Sequence, residues 1–172
     1  MAEQDSSPGA ASAPMQRPLR WLWLAAAVLV LDLATKALAT HFLAYASPVE
    51  VLPFFNLTLL HNTGAAFSFL ADHPGWQRWF FAAIAVAATV GLTIWMRRLR
   101  ADEKLLGAAL ALVIGGALGN LHDRLLHGYV VDFLSFHAAG WYYPAFNVAD
   151  IGITLGAIGL IIESLLGDRR RR

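Results

Sequence analysis

Two carboxylates in apolar surroundings are the side chains of this sequence best suited to chemistry. Asp132 lies in the apolar run of residues 129–134, and Asp150 ends the segment 146–150. Two acids held a few ångströms apart cannot both ionise cheaply, so they share one proton and titrate as a unit. The ionised acid can activate a water molecule while the protonated acid polarises a peptide carbonyl and assists the leaving amine. Such a pair hydrolyses peptides without a nucleophilic side chain, metal or cofactor.

Each acid also has an ordinary explanation. Asp132 can be a loop carboxylate that faces water, and Asn147 followed three residues later by Asp150 is a capping-box-like signal for the start of a helix. Capping alone explains Asp150 well. An active site is nevertheless the better explanation, because nine polar residues are predicted at the same depth of the membrane: Asp32, Lys36, Asn62, Asn120, Asp123, Arg124, Asp132, Asn147 and Asp150.

The elements that must position these residues are membrane spans. The chain has 172 residues, of which 58% are hydrophobic and 15% charged, with a mean hydropathy of +0.53. This is more apolar surface than one small soluble core can hide. Four apolar stretches, at about 21–39, 79–96, 105–121 and 148–166, approach the roughly 20 residues that a helix needs to cross a bilayer. The absence of cysteine excludes a cysteine protease, a disulfide and a Cys-type zinc site.

The basic residues predict the topology. Ten of the thirteen Lys and Arg residues lie in the N-terminal tail, in the segment 97–104 and in the run 169–172. The positive-inside rule places these three segments in the cytoplasm, so residues of roughly 40–78 and 122–146 lie outside. We therefore predict a disordered cytoplasmic tail at 1–20, a transmembrane domain at 21–166 and a basic cytoplasmic tail at 167–172.

The first outer segment carries two further signals. Residues 49–59 alternate and are rich in β-branched and aromatic side chains, which predicts a hairpin or small sheet near the membrane surface. Residues 62–70 are amphipathic and predict an interfacial helix. The expected fold is an all-α membrane protein of four transmembrane helices, with a small outer β-element and an interfacial helix.

Polar and small residues within the spans indicate helix contacts. Asp32 and Lys36 lie one turn apart on one face of the first span, either as a self-neutralising ion pair that orients helices or in direct contact with a substrate. Near the outer end of the third span, residues 115–119 are mostly glycine and alanine, which let a neighbouring helix approach closely. Asn120 and Arg124 follow on one face.

Five short elements resemble the lipoprotein signal peptidase family, also called signal peptidase II. They are D-L-A-T-K at 32–36, N-T-G-A-A-F at 62–67, G-N-L-H-D-R at 119–124, V-V-D-F at 130–133 and F-N-V-A-D at 146–150. They occur in the family order, and the resemblance covers about residues 20–166. His122 stands where many members have a large apolar or aromatic residue. This departure from the family pattern does not involve either acid of the proposed pair.

The resemblance implies an aspartic endopeptidase with Asp132 and Asp150 as the catalytic dyad. It implies substrate or inhibitor contacts at Asn62, Gly64, Asn120, Arg124, Asn147 and Ala149, with Asp32, Lys36 and Asp123 as supporting polar residues. Members cleave the signal peptide of a prolipoprotein just before a cysteine that carries a diacylglyceryl group, and globomycin-type cyclic peptides inhibit them. We expect a monomer in the bacterial inner membrane, in contact with lipids, with both termini cytoplasmic and the site facing the periplasm. No cofactor, metal or nucleic acid is expected.

Three alternatives compete with this assignment. Intramembrane acids also mark transporters and proton channels, but the inner halves of the spans offer no polar route, since Glu163 is the one ionisable residue in the inner half of the fourth span. All six histidines fall on the outer side, yet no H-E-x-x-H spacing typical of a metalloprotease occurs. A purely structural membrane protein would not need two acids and several asparagines at one level.

Overall fold

A computed structural model describes residues 18–64 and 75–171 of the chain, with the side chains of the last helix described as far as residue 166. Four helices dominate it: α1 (Leu22–Phe42), α2 (Trp76–Arg97), α3 (Lys104–Leu126) and α4 (Val148–Arg171). A single 3-10 turn, Pro18–Trp21, precedes α1. Each helix is long and apolar enough to cross a membrane, which confirms the four predicted spans.

Some predicted boundaries need adjustment. The 3-10 turn includes the last three residues of the segment predicted as an N-terminal tail, and residues 1–17 lie outside the described part. The backbone of α4 continues helically to Arg171, through most of the segment predicted as a C-terminal tail. Of the predicted interfacial helix, residues 65–70 lie outside the described part of the chain.

A four-stranded antiparallel sheet covers one end of the helices. The predicted fold class, all-α with a small β-element, therefore understated the β-structure. The strand order of the sheet is β1 (Val49–Leu52), β2 (Phe55–Asn62), β3 (Val130–Ala138) and β4 (Trp141–Tyr142). The predicted hairpin is confirmed as β1 and β2. The strand β3 was not predicted, and Asp132, expected on a loop, lies within it. Residues 130–133 are buried in succession, so this strand lacks the polar alternation by which a half-exposed strand is recognised.

Glycines allow α3 to lie close to both of its neighbours. A methyl group added at Gly115 would come 2.6 Å from the carbonyl oxygen of Ala25 in α1. One added at Gly116 would collide with the carbonyl oxygen of Ala149 in α4. The close helix approach predicted from the small residues of α3 is therefore confirmed. It brings the C-terminal end of α3 against the N-terminal end of α4.

The sheet and the polar residues lie at the same end of the bundle. The helices α1 and α3 end there, α4 begins there, and the two long outer segments meet where β2 pairs with β3. In that pairing Leu60 lies opposite Asp132 and Asn62 opposite Val130. The other end is closed by apolar packing of Met96, Leu99 and Leu110. Among the residues that the structure describes, the buried polar side chains thus lie at the sheet end of the bundle.

Candidate active site

Asp132 and Asp150 line one cavity of about 440 Å³. Asp132 comes from β3, and Asp150 stands in the first turn of α4. The polar wall of the cavity also includes Asn62, Asn120 and Arg124, whereas Ile151, Ile153 and Leu155 of α4 form an aliphatic wall. The structure therefore brings together two acids that are 18 residues apart in the chain.

Asn147 connects the two acids. Its side-chain oxygen accepts a hydrogen bond from the backbone N–H of Asp150 at 3.0 Å, and its own backbone N–H donates to Asp150 Oδ2 at 3.3 Å. This reciprocal pair is a capping box, so the capping prediction is confirmed. The side-chain amide of Asn147 also donates to Asp132 Oδ1 at 2.7 Å. The helix cap is thus part of the acid pair's framework, and the two explanations of Asp150 are compatible.

Asp132 is almost fully enclosed, with 3% of its surface exposed. Its Oδ2 accepts a hydrogen bond from the side-chain amide of Asn62 at 3.0 Å. Burial, and then the charge of Asp150, raise the pKa of Asp132 to about 7, against the opposing effect of the hydrogen bonds from Asn62 and Asn147. Asp132 therefore retains a proton at pH values where an ordinary aspartate has lost it.

Asp150 receives an oriented donor from α3. The side-chain amide of Asn120 donates to Asp150 Oδ1 at 2.8 Å, and its oxygen accepts from Lys36 Nζ at 3.1 Å. An ammonium group can only donate, so Lys36 fixes which end of the Asn120 amide faces it. The NH₂ end of Asn120 is consequently directed at the carboxylate of Asp150. The N terminus of α4 is also a favourable place for a negative charge.

A buried charge cluster stands behind the acids. Lys36 lies 2.8 Å from Asp32 and 2.9 Å from Asp123, and all three residues are at most 3% exposed. The contact between Lys36 and Asp32 Oδ2 has ion-pair but not hydrogen-bond geometry. The predicted ion pair of Asp32 and Lys36 is confirmed, and neither residue is part of the described cavity wall. Of the two explanations given for this pair, the geometry favours helix orientation.

The same cluster holds the backbone next to each acid. Asp32 Oδ1 accepts a hydrogen bond from the N–H of Ala149 at 2.8 Å, and Asp123 Oδ2 accepts one from the N–H of Val131 at 3.0 Å. Ala149 and Val131 directly precede the two acids in sequence. Through these two carboxylates, Lys36 therefore stabilises the positions of the strand that carries Asp132 and the helix that carries Asp150.

Arg124 joins α3 to the end of β2. Its guanidinium donates to the carbonyl oxygen of Gly64 at 3.0 Å and to that of Asn120 at 3.3 Å, and it lies over the ring of Phe81. The N–H of Gly64 in turn donates to Asn62 Oδ1 at 3.0 Å. These contacts hold Asn62 in place to donate to Asp132. They also present a fixed positive charge at the cavity wall.

Several predicted site residues lie behind the cavity wall. Asn147 and Ala149 are fully buried, and Gly64 is buried beside Arg124. Conversely, the wall includes residues 143–145 and the side chains of Ile153 and Leu155, which no sequence signal placed in the site. An aliphatic residue of a span gives no signal that it faces a cavity instead of lipid. Among residues 18–64 and 75–166, no three His, Asp or Glu side chains form a group able to hold a metal ion.

Known proteins resemble this chain over most of its length. A family model described as "Signal peptidase (SPase) II" matches residues 24–166. The lipoprotein signal peptidase of Yersinia pseudotuberculosis serotype O:1b is 54% identical over 154 residues, which cover 89% of this chain and 90% of that protein. That of Photorhabdus laumondii is 56% identical over 149 residues, covering 86% and 89%. A solved bacterial membrane enzyme aligns with a TM-score of 0.78 and 32% identity, covering 89% of this chain and 91% of that one.

Proposed function

The chain belongs to the signal peptidase II family, and on that basis we propose that it removes the signal peptide from prolipoproteins, cutting just before a cysteine that carries a diacylglyceryl group. It is an aspartic endopeptidase of the membrane. The observation that carries the assignment of the catalytic groups is the junction at Asn147, which donates to Asp132 and caps the helix whose first turn carries Asp150. A transporter, the alternative suggested by acids in the spans, finds no support in this family membership.

We propose different duties for the two acids. Asp132 has the raised pKa and holds the shared proton, whereas Asp150 accepts hydrogen bonds from Asn120 and Asn147 and is the base. Asp150 takes a proton from a water molecule, whose oxygen attacks the scissile carbonyl carbon while Asp132 gives its proton to the carbonyl oxygen. As the tetrahedral intermediate breaks its C–N bond, Asp150 passes its proton to the cysteine nitrogen. A hydroxyl of the intermediate returns a proton to Asp132, which restores the dyad.

The remaining predicted site residues divide by position. We propose that Asn62 and Arg124, on the cavity wall, contact the peptide, with Asn120 reaching the substrate beside Asp150. Gly64, Asn147 and Ala149 act from behind the wall by positioning these groups. Globomycin-type cyclic peptides would occupy the same cavity.

The proposed orientation places the dyad at the outer face of the bacterial inner membrane. Ten of the thirteen Lys and Arg residues belong to the two termini and the 97–104 segment, and the described parts of these segments lie at the end of the bundle opposite the sheet. With both termini cytoplasmic, the sheet and the acids face the periplasm. The lipid tails of a substrate can then stay in the bilayer while the scissile bond reaches the dyad.

Cleavage of matched peptides tests this function. The purified protein would be given a prolipoprotein peptide with a diacylglyceryl-modified cysteine, and the same peptide with an unmodified cysteine, with products identified by mass spectrometry. We expect efficient cleavage of the modified peptide alone, at the bond before the cysteine. Equal cleavage of both peptides, or cleavage at another bond, would contradict the proposal.

A further inference from the structure

A second cavity lies on the other side of Asp132, over the sheet. It has a volume of about 570 Å³ and is lined by Thr58 and His61 of β2, Ser135 of β3, Tyr142 of β4, and Tyr45 from the segment before β1. Both cavities include Asn62, Asp132 and residues 143–145 in their walls. The two spaces therefore meet at the catalytic carboxylate. We call the second one the sheet cavity.

The sheet cavity differs in chemistry from the first. Hydroxyl, imidazole and phenol groups line it alongside apolar side chains, whereas the first cavity has the aliphatic wall of α4. Burial, and then the charge of His127, lower the pKa of His61, so the ring is neutral at neutral pH. The ring of His61 stacks on that of Tyr129 at 4.0 Å and contacts Tyr45 at 4.8 Å, which fixes this part of the wall. Such a wall of mixed polar and apolar groups suits an uncharged peptide segment.

A prolipoprotein has a matching asymmetry about its scissile bond. The signal peptide and the diacylglyceryl group are apolar, whereas the mature polypeptide beyond the cysteine belongs in water. The scissile carbonyl must lie at Asp132, where the two cavities meet, so each side of the bond enters a different space. The aliphatic wall of α4 matches the apolar parts of the substrate, which leaves the sheet cavity for the polypeptide that continues beyond the cysteine.

We propose that the sheet cavity binds the first residues of the mature chain, C-terminal to the lipid-modified cysteine, as an extended and uncharged segment. Tyr45 and Tyr142 supply aromatic contact area, and Thr58, His61 and Ser135 supply hydrogen-bonding groups. The cavity volume is within the range of sites that enclose a small ligand. This inference rests on the proposed function and adds the determinants of substrate recognition beyond the cleaved bond.

Two lipopeptides test whether the sheet cavity binds the residues beyond the cysteine. Both carry the same signal peptide and diacylglyceryl cysteine, but one ends at the cysteine amide and the other continues with several uncharged residues. For the wild-type protein we expect a lower KM for the longer peptide. Tyr45→Ala and Tyr142→Ala should each raise the KM for the longer peptide roughly threefold to tenfold, with kcat and the KM for the shorter peptide unchanged.

Trp141→Ala is the matched control. Trp141 and Tyr142 are neighbours on β4 with similar exposure, 63% and 59%, and successive strand residues point to opposite faces. The control should leave the KM for both peptides unchanged. Equal KM values of the two peptides for the wild-type protein, or equal effects of the tyrosine variants on both peptides, would overturn the inference. Failure of the wild-type protein to cleave either lipopeptide would instead contradict the proposed function, so the two failures are distinguishable.

Discussion

Lys36 is the cation that balances two buried carboxylates, and its replacement by Met tests the framework behind the dyad. Lys36 lies 2.8 Å from Asp32 and 2.9 Å from Asp123, with side-chain exposures of at most 4%. Removing one partner of a buried ion pair costs about 3–5 kcal/mol, because a charge is left without compensation. Since one ammonium serves two carboxylates here, the loss should fall near 5 kcal/mol. That is a large part of the roughly 5–15 kcal/mol that stabilises a typical protein.

The thermal unfolding midpoint of the detergent-solubilised protein measures this loss. For a chain of this size each kcal/mol shifts Tm by about 2–4 °C, so Lys36→Met should lower Tm by about 10–20 °C. Arg100→Met is the matched control, since Arg100 pairs with Asp102 at 3.2 Å while both side chains are well exposed. Its effect should stay below about 1 kcal/mol.

A charge-balanced variant separates lost charge from lost packing. Combining Lys36→Met with Asp32→Asn and Asp123→Asn removes the uncompensated carboxylates and keeps oxygen atoms that can accept from Ala149 and Val131. We expect this variant to recover most of the lost Tm. If Lys36→Met and Arg100→Met shift Tm equally, the assignment of Lys36 as the central buried cation is wrong.

Two further outcomes follow from the geometry. The kcat/KM of the wild-type protein should fall above an apparent pKa of about 7, as Asp132 loses its proton. Because this pKa lies above the 3.8 of an ordinary aspartate, the native state binds one more proton than the unfolded state between these two pH values. The free energy of unfolding should therefore decrease as the pH rises through this window, and Asp132→Asn should remove this dependence. A pH-independent rate from 6 to 9 would contradict this assignment. Gly116→Ala should lower the free energy of unfolding by about 1–3 kcal/mol, measured by thermal unfolding, because the added methyl group collides with the carbonyl oxygen of Ala149. The control Gly91→Ala, where an added methyl group has no neighbour within 4 Å, should be neutral or stabilising. Equal effects of the two variants would contradict the close packing of α3 on α4.

The spans and the helix cap could be predicted from local sequence. Each span carries about 20 apolar residues, and the cap signal of Asn147 and Asp150 acts within one turn, so neither depends on distant parts of the chain. The ion pair of Asp32 and Lys36 was likewise readable from helical spacing. Local periodicity therefore accounts for the helices and for the start of α4.

The parts that depend on long-range contacts could not be predicted. The strand β3 contains an apolar run that is buried on both sides. The sequence pattern of such a run does not distinguish a strand from a loop packed against the core. Asp123 of α3 forms an ion pair with Lys36 of α1, and no residue spacing within α3 predicts that contact. The same holds for Asn120, whose amide orientation is set by Lys36, 84 residues away. The family resemblance named these residues without giving their partners.

The central claim is that Asp132 and Asp150 act as one dyad, and the rates of single and double amide variants test it most directly. Cleavage of the diacylglyceryl-modified peptide by Asp132→Asn, Asp150→Asn and the double variant would be compared, with unfolding midpoints to verify folding and Asp102→Asn, an exposed acid, as the control. We expect each single variant to lose at least about a thousandfold in kcat, the double variant to be no slower than either, and the control to match the wild type. Cleavage within tenfold of the wild-type rate by either single variant would contradict the dyad.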